Sequence, residues 1–171
     1  MFQGCMSLET VPLFDTGKGT TFENMFNNCY NLTEIPAFNT SQVLSFQNAF
    51  NVCTNLKKIP LLDTQKVTNF TSAFGNCISL TELPALNLTA GTNFTTMFTN
   101  TGGIAKAPFV NIRNTLTFAG LMLSRAAILD IFNGLASGVV SKTITVSGNP
   151  GFASLTSADR LIATGKGWTI A

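Results

Sequence analysis

The chain has 171 residues, 45% of them hydrophobic, enough for one domain and too few for several. Only 11% are charged and the net charge is +2, with the basic residues scattered rather than gathered into a stripe, so nothing argues for nucleic acid or an anionic membrane surface. No run of about eighteen apolar residues is present, which excludes a membrane-spanning helix on length.

The N-terminus lacks the basic start, apolar stretch and cleavage site of a secretion signal. Met1-Phe2 is already in phase with a repeat, as expected of an array entered partway. MFQGCMSLETVPLFDT from Met1 returns as MFNNCYNLTEIPAFNT from Met25, AFNVCTNLKKIPLLDT from Ala49 and AFGNCISLTELPALNL from Ala73. The period is twenty-four, read without insertion or deletion through five copies, the last of them (Met97 to Gly120) worn. One copy holds too few apolar residues for a core, so equal-length coils are expected to stack into an α/β-type solenoid with short parallel strands. Stacking turns each column into an internal seam with a rise of roughly 4.8 Å per coil. The columns are Phe2, Phe26, Phe50, Phe74, Phe98; Leu8, Leu32, Leu56, Leu80, Ile104; Pro12, Pro36, Pro60, Pro84, Pro108; and Phe22, Phe46, Phe70, Phe94, Phe118.

Within a copy, Leu32 to Pro36 reads as a short strand entering a proline-marked turn, because proline lacks the N–H that a strand interior needs. The following Asp or Asn (Asp15, Asn39, Asp63, Asn87, Asn111) suits capping of that turn. The opposite flank, Val67 to Cys77 and its equivalents, is expected to carry one helical turn around the Phe pair. Cys5, Cys29, Cys53 and Cys77 share one column, in which in-register side chains point the same way and hold their Cβ atoms too far apart for disulfides. Without histidine a metal site lacks its usual ligands, and Thr101 replaces cysteine in the fifth copy, so the four are read as reduced, buried, structural thiols. Thr10, Glu34, Lys58, Glu82 and Lys106 form an outward column of alternating charge, which favours stacking of neighbouring strands.

After Gly120 the period stops. Ser124 to Ser137 opens with a capping serine and places Ile128, Leu129, Ile131, Phe132 and Leu135 on one helix face. Thr143 to Val146 alternates as a strand closed by a Gly-Asn-Pro-Gly turn; a second helix, capped by Thr156 or Ser157, then leads to a last strand at Trp168 to Ile170. Residues 1–120 are thus the repeats, and 121–171 are helix-strand-helix-strand capping units in which Trp168 is a plug.

Candidate chemistry is thin. No Ser-His-Asp or Cys-His arrangement is possible without histidine. Gly17-Lys18-Gly19 and Gly165-Lys166-Gly167 lack the spacing of a phosphate loop and read as turns. The carboxylates fall about one per coil, unpaired across any cleft, so the reading is of a non-enzyme needing no cofactor.

The pattern MFxxCxxLxxIPxF, with Asp-Thr or Asn-Thr following, resembles the BspA-like class of leucine-rich repeats of bacterial surface proteins and bacteriophage tail-fibre and virion proteins. The ending SKTITVSGNPG with TSADRLIATGKGWTI looks like that of phage fibre or tail proteins. The resemblance implies a leucine-rich-repeat-like right-handed coil on a virion, serving as a tail-fibre, receptor-binding or decoration module. Its implied partners are a host cell-surface glycan or protein and other virion proteins, in an assembly that can be homotrimeric. The alternative is a bacterial cell-surface adhesin fragment. The expected contact positions are outward residues that differ between coils: Thr33, Ala37, Lys57, Leu61, Thr81, Ala85, Ala105, Lys106 and Phe109, with Tyr30 on the neighbouring turn. Phe109 stands where other coils carry Leu or Ala and is read either as an exposed anchor or as a packing partner of the C-terminal units.

Overall fold

The computed structural model describes residues 1–171. Successive 24-residue segments lie one on the next, and parallel bridges join Thr21 to Ser45, Ser45 to Asn69 and Asn69 to Asn93. The flank expected to hold a helical turn holds a chain of tight turns instead. Met25 N–H donates to Phe22 O (3.0 Å), Asn27 to Asn24 (3.3 Å), Cys29 to Phe26 (3.0 Å) and Leu32 to Cys29 (3.2 Å). A helix would send each N–H four residues back. Here Asn24, Asn48, Ser72 and Thr96 sit at φ 51–54°, and a left-handed residue in every copy stops the helix from propagating.

The alternate N–H groups freed by these turns point to the next coil. Phe22 donates to Ser45 O (2.9 Å), Asn24 to Gln47 O (3.0 Å), Phe26 to Ala49 O (2.9 Å) and Asn28 to Asn51 O (2.9 Å). This turn flank, rather than the proline-ended segment, therefore carries the dense inter-coil ladder. Side-chain amides run beside it: Asn48 Nδ2 donates to Asn24 Oδ1 (3.1 Å), Asn51 to Asn27 (3.4 Å) and Asn100 to Asn76 (2.9 Å).

Inside the coils, the rings of Phe2, Phe26, Phe50, Phe74 and Phe98 stack nearly parallel, with centroids 5.6–6.2 Å apart and planes 3–10° apart. Phe22, Phe46, Phe70 and Phe94 form a second file at 5.4–6.0 Å. Each buried ring contributes roughly 1.5–3 kcal/mol by leaving water, and aromatic pairing adds to that. Cys29, Cys53 and Cys77 are buried, unbridged, and each donates Sγ–H to the Phe carbonyl twenty-seven residues earlier at 3.0 Å. Burial pushes the Cys53 thiol far above the ordinary range and the Cys77 thiol up to about 12. Cys5 corrects the expectation of four buried thiols: it is exposed, lying in the first of the described coils.

The fifth copy also departs from the count. Asn87 bridges Val110, a separation of twenty-three, whereas Glu82 bridges Lys106 at twenty-four. Phe109 N–H donates to Ala107 O, two residues back, as Phe38 does to Pro36 and Leu86 to Pro84. One residue is therefore missing after Pro108, and Phe109 takes the inward place of Phe38. Phe118 leaves its file and stacks on Phe98 at 5.4 Å.

Beyond the slip, β1 (Leu116–Thr117), β2 (Lys142–Thr145) and β3 (Trp168–Ile170) form a parallel sheet in the order β1-β2-β3. The crossovers carry α1 (Arg125–Gly134) and α2 (Ser157–Thr164). Ser124 caps α1 by accepting from Ala127 N, and Thr156 caps α2 in a reciprocal box with Asp159. Gly134 lets α1 end against the Phe109 carbonyl, where any Cβ would collide. Arg125 grips Asp159 with two bonds, 2.8 Å and 2.6 Å, tying the two helix starts together. Lys166, in the Gly-Lys-Gly turn, donates to the carbonyls of Phe132, Asn133 and Leu135 at 2.8–3.0 Å, a cation set at the C-terminal end of α1. Trp168 is buried, and its Nε1–H donates to Ala136 O at 2.8 Å. No helix is long and apolar enough to cross a membrane.

Candidate functional site

The proline-ended segment of each coil turns Leu32 and Ile35, and their equivalents, inward, leaving the two residues between them outward. After Pro36 the next residue faces solvent again and the one after it, Phe38, faces in. Stacked, these outward positions make one face. Its first file is Thr33, Lys57, Thr81 and Ala105; beside it runs the Glu34, Lys58, Glu82, Lys106 column; beyond the prolines lie Leu13, Ala37, Leu61 and Ala85.

Backbone pairing across this face is sparse. Thr33 N–H reaches Glu9 O (3.0 Å), Lys57 reaches Thr33 O (3.1 Å), and Ala105 reaches Thr81 O (2.8 Å). Between the fourth and fifth coils Leu83 N–H also donates to Lys106 O at 2.8 Å. The equivalent N–H groups of Val11, Ile35 and Ile59 have no acceptor in the chain, nor does that of Thr81. The face carries two grooves of about 410 and 380 Å³. The first is walled by Glu34, Pro36, Lys58 and Pro60, the second by Glu82, Pro84, Lys106 and Pro108, and the two share Lys58 and Ile59.

The alternating column closes only in part. Lys58 Nζ lies 3.5 Å from Glu34 Oε2, with both side chains more than half exposed. Glu82 and Lys106 are bridged through their backbones but have no opposite charge within 4.0 Å. An exposed pair of this kind is worth at most about 1 kcal/mol.

The sequence-derived positions are placed as follows. Lys57, Leu61, Thr81 and Lys106 are exposed on this face, as are Ala37, Ala85 and Ala105, and Leu61 keeps 65% of its surface. Thr33 is half-buried, its hydroxyl donating to Glu9 O at 3.2 Å. Tyr30 is half-buried on the adjoining turn, where its carbonyl accepts from Asn55 N and Thr54 Oγ1. Phe109 does not belong to the face: it is wholly buried, 6.1 Å from Phe98 and 5.7 Å from Phe118, because the one-residue slip turns it inward. The unpaired N–H groups of Val11, Ile35, Ile59 and Thr81 had no counterpart in the sequence reading, since no residue type marks them.

A family model described as Mycoplasma protein of unknown function, DUF285, matches residues 1–109. The match thus ends at the residue where the slip sets in. No curated protein and no solved structure matches the chain.

Proposed function

The chain belongs to the family described as Mycoplasma protein of unknown function, DUF285, a family associated with BspA-like repeat proteins, and on that premise we propose that it is a non-enzymatic surface-interaction module. In this reading the stacked coils are a leucine-rich-repeat-like right-handed solenoid, closed by the α1 and α2 units. It sits on a bacteriophage virion as a tail-fibre, receptor-binding or decoration element and uses its grooved face for recognition of a host-surface glycan or protein, or for particle assembly. One observation carries the reading: residues that differ from coil to coil (Thr33, Lys57, Thr81; Leu61, Ala85) are displayed outward over buried columns that do not. Solenoids offer extended surfaces of this kind to partners. The virion setting is supported by the resemblance of the C-terminal stretches, Ser141 to Gly151 and Thr156 to Ile170, to phage fibre endings. The non-enzymatic reading is supported by grooves whose ionisable lining residues are Glu34, Lys58, Glu82 and Lys106, one from each coil, with no two carboxylates in neighbouring coils.

A second reading, a bacterial cell-surface adhesin, is favoured by the bacterial name in the family's description. Immunogold labelling with antibody against the purified protein separates them. Label on intact phage particles supports the virion, whereas label confined to bacterial envelopes supports the adhesin and defeats the first. Release of new reducing ends from host polysaccharide by the purified protein would defeat the non-enzymatic reading.

A further inference from the structure

The alternation that favours stacking within the chain also makes the charged column complementary to its own reverse. Read upward it is Glu34, Lys58, Glu82, Lys106; read downward it is base, acid, base, acid. Two copies of this face brought together about a two-fold axis lying across the column, between Lys58 and Glu82, set every charge of the column against its opposite: Glu34 meets Lys106 of the other copy, and Lys58 meets Glu82. The flanking files agree with that register. Lys57 falls opposite Thr81, Thr33 opposite Ala105, and the exposed Leu61 opposite Ala85. A slip of one coil would oppose Lys58 to Lys106 and Glu82 to itself. A parallel arrangement about a three-fold axis would oppose Glu34 to Glu34 and Lys58 to Lys58 at every level. Like charges in such positions disfavour association, so the pattern specifies both orientation and register.

We propose that this face pairs with a second copy of the chain in antiparallel two-fold fashion. The proposal rests on the reading of the face as an interaction surface, and names its partner, but is independent of the virion setting. Within one chain Glu82 and Lys106 are left without an ion-pair partner, and the second copy supplies one to each.

Sedimentation velocity on the purified 171-residue protein, in salt from about 0.02 to 0.5 M, tests this. The expected result is a dimer that dissociates as salt rises. Lys58→Glu, checked for folding by circular dichroism, should weaken it by about tenfold or more, because two Lys58–Glu82 pairs become repulsive. The double variant Lys58→Glu/Glu82→Lys should regain the dimer, since each exchanged charge again faces its opposite. A monomer at low salt, a trimer, a dimer indifferent to Lys58→Glu, or a double variant as weak as the single would each overturn the proposal. None of these outcomes alters where immunogold label falls, so the pairing and the virion reading fail separately.

Discussion

Val52 holds a backbone conformation its side chain resists. It lies at φ 62°, in the column where Gly4, Asn28, Asn76 and Asn100 also have positive φ. Asparagine tolerates the left-handed region and a β-branched residue does not. Val52 also interrupts the amide file: Asn100 Nδ2 reaches Asn76 Oδ1 at 2.9 Å, but Asn76 has no amide below it in its own column and turns to Asn51 Oδ1 at 3.3 Å. Val52→Asn should therefore stabilise the protein by about 1 kcal/mol, read as a raised urea midpoint with an unchanged slope. At this scale the sequence was legible wherever a column repeats without interruption, as for Phe26, Phe50 and Phe74. At Phe109 the packing alternative holds and the exposed one does not; the slip that decides it was illegible, because Pro108-Phe109 keeps the spacing of Pro60-Leu61 and no local residue marks the lost position. The pairing of Asn24 with Asn48, Asn27 with Asn51 and Asn76 with Asn100 across coils was not read, because it depends on which flank carries the left-handed residues.

Among the elements, α1 and α2 are joined at their N-termini by one carboxylate. Asp159 accepts both Arg125 bonds and the N–H of Thr156 at 2.7 Å. The hydrogen-bonded Arg125 guanidinium and then the Thr156 N–H hold its carboxyl down at about 2. An unfolded aspartate titrates near pH 3.9, so the folded value lies below the unfolded one. The stabilisation is then complete above roughly pH 4 and is lost as pH falls through the folded value near 2. Asp159→Asn should lower the melting temperature at pH 7 and flatten its fall between pH 4 and 2, as followed by circular dichroism. The helices and both caps were readable from periodicity and from Ser124 and Thr156, because these signals are local. The Arg125–Asp159 pair spans thirty-four residues and the Lys166 cap about as many, so neither leaves a local trace. The two flanks exchanged their expected roles for a related reason. Inter-coil bonding follows the direction in which N–H groups point, and that is set by the sign of φ at Asn24 and its equivalents rather than by hydrophobic pattern.

At the scale of the molecule, neighbouring coils repeat one set of contacts twenty-four residues on: Phe26 to Phe50 at 5.7 Å, then Phe50 to Phe74 at 5.7 Å. Stability in such a stack is close to a sum of coil and neighbour terms. The period itself is the molecule's main structural instruction, and the change of spacing at its end is equally physical. Past Phe109 the paired residues lie 28 apart from Leu116 to Ile144 and 26 apart from Lys142 to Trp168, which is the added length that α1 and α2 need. The most direct test is thermal melting of two deletions. Removing residues 49–72 sets Phe74 above Phe26 and leaves every column in register. The stack predicts that this variant still melts cooperatively, at a reduced temperature, whereas removing residues 49–60 alone abolishes the cooperative transition. Loss of cooperative melting in the full-coil deletion, or its retention in the half-coil deletion, would contradict stacking in register.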